Sequence, residues 1–194
     1  VNARLPHPLA AFVGGLEGLV GGGADEATIF RDGRTLLAGL IAHDDWLPAA
    51  LTEPDPASYR IHLLHLDPAA RFSVSAMVWG PGQGTPIHNH TVWGMVGVLR
   101  GRERCEEFSL PARPGGPLVA GHVHELEAGD IDLVSPSIGD IHRVSNALAD
   151  GTSVSIHVYG ADIAAITRSR WEADGRATPF VSPYASCLLP SRAS

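Results

Sequence analysis

The chain has 194 residues, of which 44% are hydrophobic and 18% charged, with a formal net charge of -7. Those proportions exclude a disordered chain and argue against a nucleic-acid binder, which presents a basic face. No apolar run approaches the roughly 20 residues of a membrane span, and the acidic balance does not favour an anionic membrane surface.

The opening Val1-Asn2-Ala3-Arg4-Leu5-Pro6 lacks the apolar core of a signal peptide. The two cysteines, Cys105 and Cys187, read as reduced thiols in a cytoplasm rather than as a disulfide framework.

Residues 7–55 carry helical periodicity. Leu9, Phe12, Val13, Leu16, Leu19 and Val20 fall near i, i+3, i+4, i+7 spacing, and Gly21-Gly22-Gly23 ends that helix. A second helix starts at Ala24 or Asp25 and runs through Ile29, Leu36, Leu37, Leu40 and Ile41. A third short piece begins near Asp44 and stops before Pro54-Asp55-Pro56. From Tyr59 the period changes to two. Strands are predicted over 73–79, 87–99, 103–110, 122–127, 131–134, 141–146 and 153–159, punctuated by Gly, Pro and Asp. Residues 111–121 form a hairpin loop, and a short helix is predicted over 163–171. The expected architecture is all-β, one domain: a helical arm (1–57), a barrel (58–160) and a closing segment (161–194).

Ten of the residues are histidine, so convergence is the question. His88 and His90, two apart on a predicted strand, point the same way and can reach one ion. His142, at another turn entering a strand, supplies a third imidazole. His122 and His124 repeat the spacing without a glycine loop before them and read as surface residues. Such a trio suits iron, copper, nickel or zinc alike. On the strand 153–159, Ser155, His157 and Tyr159 share one face. A chain of hydrogen bonds among them would satisfy all three and fix the phenol.

These residues carry a resemblance. Gly82-x5-His88-x-His90 matches the first half of the first cupin motif. Gly129-x6-Pro136-x2-Gly139-x2-His142-x3-Asn146 matches the second, with one extra residue in each of two gaps. The glutamate slot of the first motif holds Gly94 and Met95, which leaves three neutral histidines. The chain thereby resembles the thiol dioxygenases, the cysteine dioxygenase family. The stretches 79–84, 86–94 and 97–101 are similar to its bacterial 3-mercaptopropionate branch. The resemblance implies a cupin β-barrel (jelly roll) with an N-terminal helical arm. It also implies iron(II) on His88, His90 and His142, O2 as co-substrate, and a small thiol carboxylate oxidised to a sulfinate. Ser155, His157 and Tyr159 become the catalytic relay, with the Tyr159 hydroxyl facing the metal. Animal relatives cross-link a cysteine near the Gly94 slot to this tyrosine; glycine there predicts no cross-link.

The family's carboxylate-binding slot aligns with Ile61, where an Arg or Gln is usual. Arg60, His62 and Arg168 are the remaining candidates for that role, and Trp79 and Trp93 are expected to wall the pocket. The substrate stays open among 3-mercaptopropionate, cysteine and a dicarboxylic thiol such as mercaptosuccinate. Two other classes compete: a zinc or nickel cupin hydrolase or isomerase, and a cupin that binds a small ligand without chemistry.

Overall fold

The structure, a computed structural model, describes residues 5–113, 116–172 and 174–188. Helix α1 (His7–Gly21) starts behind Pro6 and ends where Gly22 and the left-handed Gly23 (φ +73°) turn the chain. Asp25 then caps α2 (Glu26–Thr28), its carboxylate accepting the Thr28 N–H at 2.9 Å. A π-helical turn over Ile29–Gly33 joins α2 to α3 (Arg34–Ile41). The predicted third piece is one 3-10 turn, Ala49–Leu51.

Among the described residues twelve strands follow. They are β1 (Arg60–Leu66), β2 (Ser73–Trp79), β3 (Ile87–His88), β4 (Gly94–Arg100), β5 (Arg102–Ser109), β6 (Val119–Glu127), β7 (Ile131–Val134), β8 (Ile141–Asn146), β9 (Ser153–Tyr159), β10 (Arg168–Trp171), β11 (Ala177–Phe180) and β12 (Ser186–Cys187). One sheet has the order β12-β1-β2-β9-β4-β7 and the other β11-β10-β3-β8-β5-β6.

Strands β2 and β9 are buried on both faces. Val74, Ala76, Val78, Val154, Ile156 and Val158 pack outward onto Leu9, Phe12, Leu16, Leu37 and Leu40 of the helices. The helical arm is therefore the cover for an apolar sheet face that would otherwise meet water. Gly97 makes the fit close: a Cβ there would stand 2.9 Å from Ile41 Cδ1. The alternate residues, Ser73, Ser75, Ser155, His157 and Tyr159, face between the sheets. The polar stripe of these strands points inward, because the apolar stripe has helices to meet.

Two predicted elements differ. The run 87–99 is not one strand. It breaks over residues 89–93, where Thr91 has φ +63°. The predicted helix over 163–171 is a turn followed by β10. Asp162 accepts the Ala164 N–H (3.1 Å) through its carboxylate and the Ala165 N–H (3.0 Å) through its backbone carbonyl, which closes the turn. The open edge of β3 then captures Arg168–Trp171 as a strand, paired on its other side to β11. β-Branched Ile166 and Thr167 just before it weaken any helix there. Among the described residues no helix is long and apolar enough to cross a membrane.

Candidate metal centre and adjoining cavity

Strands β3 and β8 pair with His88 opposite His142. His90 joins them from the loop rather than from a strand, so the alternation argument places it only indirectly. Asp140 does the positioning: its carboxylate accepts the N–H of His90 (3.0 Å) and of Thr91 (2.9 Å), and lies 3.0 Å from His90 Nδ1. The three rings form a near-equilateral triangle with centroids 4.8, 4.8 and 4.9 Å apart. One ligand atom from each lies within 4.8 Å of the others.

The outer nitrogens fix which atom faces inward. His88 Nδ1 lies 3.0 Å from the Pro86 carbonyl, an acceptor only, so it carries the proton and leaves Nε2 as a lone pair. His90 is held the same way by Asp140. Its Nε2 is buried with no hydrogen-bond partner, the state of a lone pair that a cation would satisfy. Cys105 Sγ lies 3.6 Å from His142 Nδ1. Burial pulls His88 down to about 4 and holds His90 and His142 well below their ordinary value, so all three are neutral. Three converging neutral nitrogens with no acid among them fit a divalent transition metal.

Gly94 sits where the missing carboxylate would start, against the Tyr159 ring: a Cβ there would be 2.7 Å from Tyr159 Cδ1. Met95 points the other way, into the core under the helices. Cys105 is buried beside His142, and burial pushes its thiol well up.

Tyr159 Oη lies 2.8 Å from His157 Nδ1, and His157 Nε2 lies 2.9 Å from Ser155 Oγ. Trp79 Nε1, which can only donate, donates to the same Ser155 oxygen at 3.1 Å. Ser155 Oγ also faces the Glu103 carboxyl, so its proton has two acceptors, His157 Nε2 and Glu103. The contacts from Ser155 through His157 to Tyr159 Oη, with one proton in each, hold the imidazole and the phenol in one orientation. Burial brings His157 down to about 3 and pushes the Tyr159 phenol up, so both stay neutral. Trp79 thus braces Ser155 and packs tilted against Tyr59, with ring centroids 4.9 Å apart, instead of walling a pocket. Trp93 does not wall it either: it lies under Gly160, next to the helical core, because that glycine has no side chain to displace it.

A cavity opens between Tyr159, His88, Ile61, Ser75, Arg168 and Ser182. Ile61 points into it. Arg60 and His62 point away, as alternation on β1 requires. Arg60 is an exposed partner of Asp55 (2.5 Å), and His62 is tied to Ser186 Oγ (2.7 Å). Arg168 is the guanidinium that reaches the cavity. It is 5% exposed, lies 4.5 Å over the Phe180 ring and donates to Ser182 Oγ at 2.8 Å, while its Nε has no partner. Burial lowers its pKa, yet a guanidinium stays charged at neutral pH.

Three contributors were missed by sequence reasoning. Asp140 precedes His142 by two residues and could have been found as a second carboxylate-bearing turn position. Asn89, between the two ligand candidates, accepts the Ser169 N–H at 2.8 Å and locks the loop to β10. Glu103 lies fully buried behind the relay, accepting from Ser153 Oγ at 2.9 Å, with its second oxygen unpartnered. Nothing local in the sequence marks it.

Two facing sheets with the helices on one outer face and three histidines converging between them define a cupin jelly roll. The family model described as cysteine dioxygenase type I matches residues 45–170, and the chain belongs to that family. Cysteine dioxygenase type 1 of Rattus norvegicus is 28% identical over 90 residues, covering 46% of this chain and 44% of the relative. The Homo sapiens protein of the same name is 29% identical over the same shares. The chain thus spans less than half the length of the curated relatives it matches. Among solved structures, a cupin 2 domain-containing protein from Halorhodospira halophila aligns with TM-score 0.47 at 17% identity, covering 69% of this chain and 82% of that one. A double-stranded β-helix protein from Klebsiella pneumoniae aligns with TM-score 0.46 at 16% identity, covering 69% and 93%.

Proposed function

We propose that the protein is an iron(II)-dependent thiol dioxygenase that converts a small thiol carboxylate and O2 to the sulfinate, with 3-mercaptopropionate as the preferred substrate. The observation that carries this reading is the meeting of three neutral, buried imidazoles with no carboxylate among them, one of which, His88, lines a cavity holding one guanidinium. When bound, iron(II) would supply a Lewis-acidic, redox-active centre at which a thiol loses its proton and oxygen reacts. His88, His90 and His142 would hold it without neutralising its charge, which favours an anionic sulfur.

The remaining work belongs to this chain's side chains. Arg168, with an unspent Nε–H, binds the carboxylate. Tyr159, held by His157 and lining the cavity beside His88, presents its hydroxyl where it positions the sulfur. The choice of substrate follows from the lining. It includes one arginine and no aspartate or glutamate. A single carboxylate is matched, the ammonium of cysteine finds no acidic partner, and the second carboxylate of mercaptosuccinate finds no second cation.

The test is oxygen consumption by iron-loaded protein with these three thiols. The expected ranking puts 3-mercaptopropionate first. No uptake with any of them under reducing conditions rejects the reading, and stoichiometric zinc with hydrolytic turnover replaces it with the rival cupin hydrolase. Arg168→Ala is expected to raise the KM for 3-mercaptopropionate about 10- to 100-fold, the worth of a charged hydrogen bond. A thiol alcohol of the same length should be nearly indifferent to that change. Equal losses for the acid and the alcohol would remove Arg168 from carboxylate recognition.

A further inference from the structure

We propose that His122, His124 and Glu107 form a second metal site, at the β5–β6 edge of the barrel, suited to a late first-row divalent ion such as Zn2+. His122 and His124 lie two apart on β6 and share a face. The β5–β6 register shifts between Glu106 and Phe108, so that Gly121 and His122 together face Glu107. Continuing the Cys105–His124 and Glu106–Val123 pairs puts His122 opposite Glu107, and the bulge adds Gly121 beyond it. One ligand atom from each of the three residues lies within 4.8 Å of the others.

The tautomer of His124 is set from behind. Its Nε2 lies 2.8 Å from Asp132 Oδ2, so it donates there and leaves Nδ1 as a lone pair. That lone pair points to His122 Nδ1 at 3.2 Å and to Glu107 Oε1 at 4.0 Å. A carboxylate orienting an imidazole that offers its other nitrogen outward is the arrangement that supports metal ligands. Two nitrogens held about 2.0–2.1 Å from one zinc stand roughly 3.0–3.4 Å apart, depending on the bond angle. The observed separation falls in that interval.

A competing cluster, Cys105, His124 and Asp132, shares the same ring. Its 2.8 Å contact between His124 and Asp132 is a hydrogen bond already made. The open side of His124 is the side for the ion. Glu107 and His122 are exposed, so the ion enters from solvent without passing the cavity above His88. The donor set of two imidazoles and one carboxylate differs from the three-imidazole centre. By the general order of divalent affinities, such a nitrogen–oxygen set binds zinc or copper more tightly than iron(II).

Chelator-stripped protein titrated with ZnCl2 by calorimetry, and assayed for zinc after desalting, tests this directly. The wild type is expected to take two equivalents. His122→Ala should take one, and His142→Ala should also take one, each losing a different site. Asp132→Ala should weaken the second equivalent about 10- to 100-fold. One equivalent in the wild type, or two in His122→Ala, overturns the proposal and leaves the pair as an imidazole–imidazole hydrogen bond. The stoichiometry does not depend on which reaction the three-histidine centre performs.

Discussion

Glu103→Gln is expected to remove a fall in folding stability of about 3 kcal/mol between roughly pH 4.5 and 7. Glu103 is 0% exposed. Burial pushes its carboxyl up to about 7, while Ser155, Ser153 and Trp79, the polar groups facing it, oppose that rise. In the unfolded chain the same group ionises near its ordinary value. Over the interval between the two values the unfolded state has lost the proton and the folded state has kept it. Unfolding therefore releases a proton, and stability drops as the pH rises until the folded group also ionises. Below that interval both states are protonated and the effect vanishes.

The histidines act in the opposite sense. His88, His90, His142 and His157 have lowered folded values, so they add stability as the pH rises toward the ordinary histidine range. The difference between wild type and variant cancels their contribution and isolates Glu103. Glutamine keeps the acceptor for Ser153 but brings amide donors to a place with no partner, a pH-independent cost of about 1–3 kcal/mol. Urea midpoints of metal-free protein at closely spaced pH values separate that offset from the slope. Parallel profiles for the two proteins would show that Glu103 does not titrate in this window.

Asp140→Ala is the second large effect. It removes the acceptor of the His90 and Thr91 N–H groups and the contact on His90 Nδ1. The left-handed Thr91 then loses the bonds that keep it there, and the cost of that conformation, about 1–3 kcal/mol, is no longer offset. His90 loses both its orientation and its fixed proton. Metal affinity is expected to fall about 10- to 100-fold, as for other carboxylates that orient a ligating histidine. Competition with a chelator dye, using Co2+ as the probe, measures it. Affinity within twofold of wild type would mean that the loop holds His90 without Asp140.

How legible these residues were depended on their distance from the backbone rule that places them. Ser155, His157 and Tyr159 obey the two-residue period of a strand, so one line of sequence places them on one face. His88 and His142 lie at the mouths of strands with glycine turns before them and were equally readable. His90 was placed by the right motif for an incomplete reason, since the strand stops at His88 and a residue fifty positions away takes over. The choice among Arg60, His62 and Arg168 was open because it turned on register and on a strand, β10, that the local sequence reads as a helix.

The sequence by itself determined the change of period at Tyr59, the glycine-bounded strands, the convergent-histidine motifs and the polar stripe of β9. Each is a local pattern, and backbone geometry makes local patterns decisive. Only the tertiary structure decided which guanidinium enters the cavity, that both tryptophans stand outside its wall, that Glu103 is buried, and that the apolar faces of β2 and β9 look outward to helices. Those outcomes depend on which distant surfaces meet, and burial, desolvation and hydrogen-bond partnership exist only once they have met.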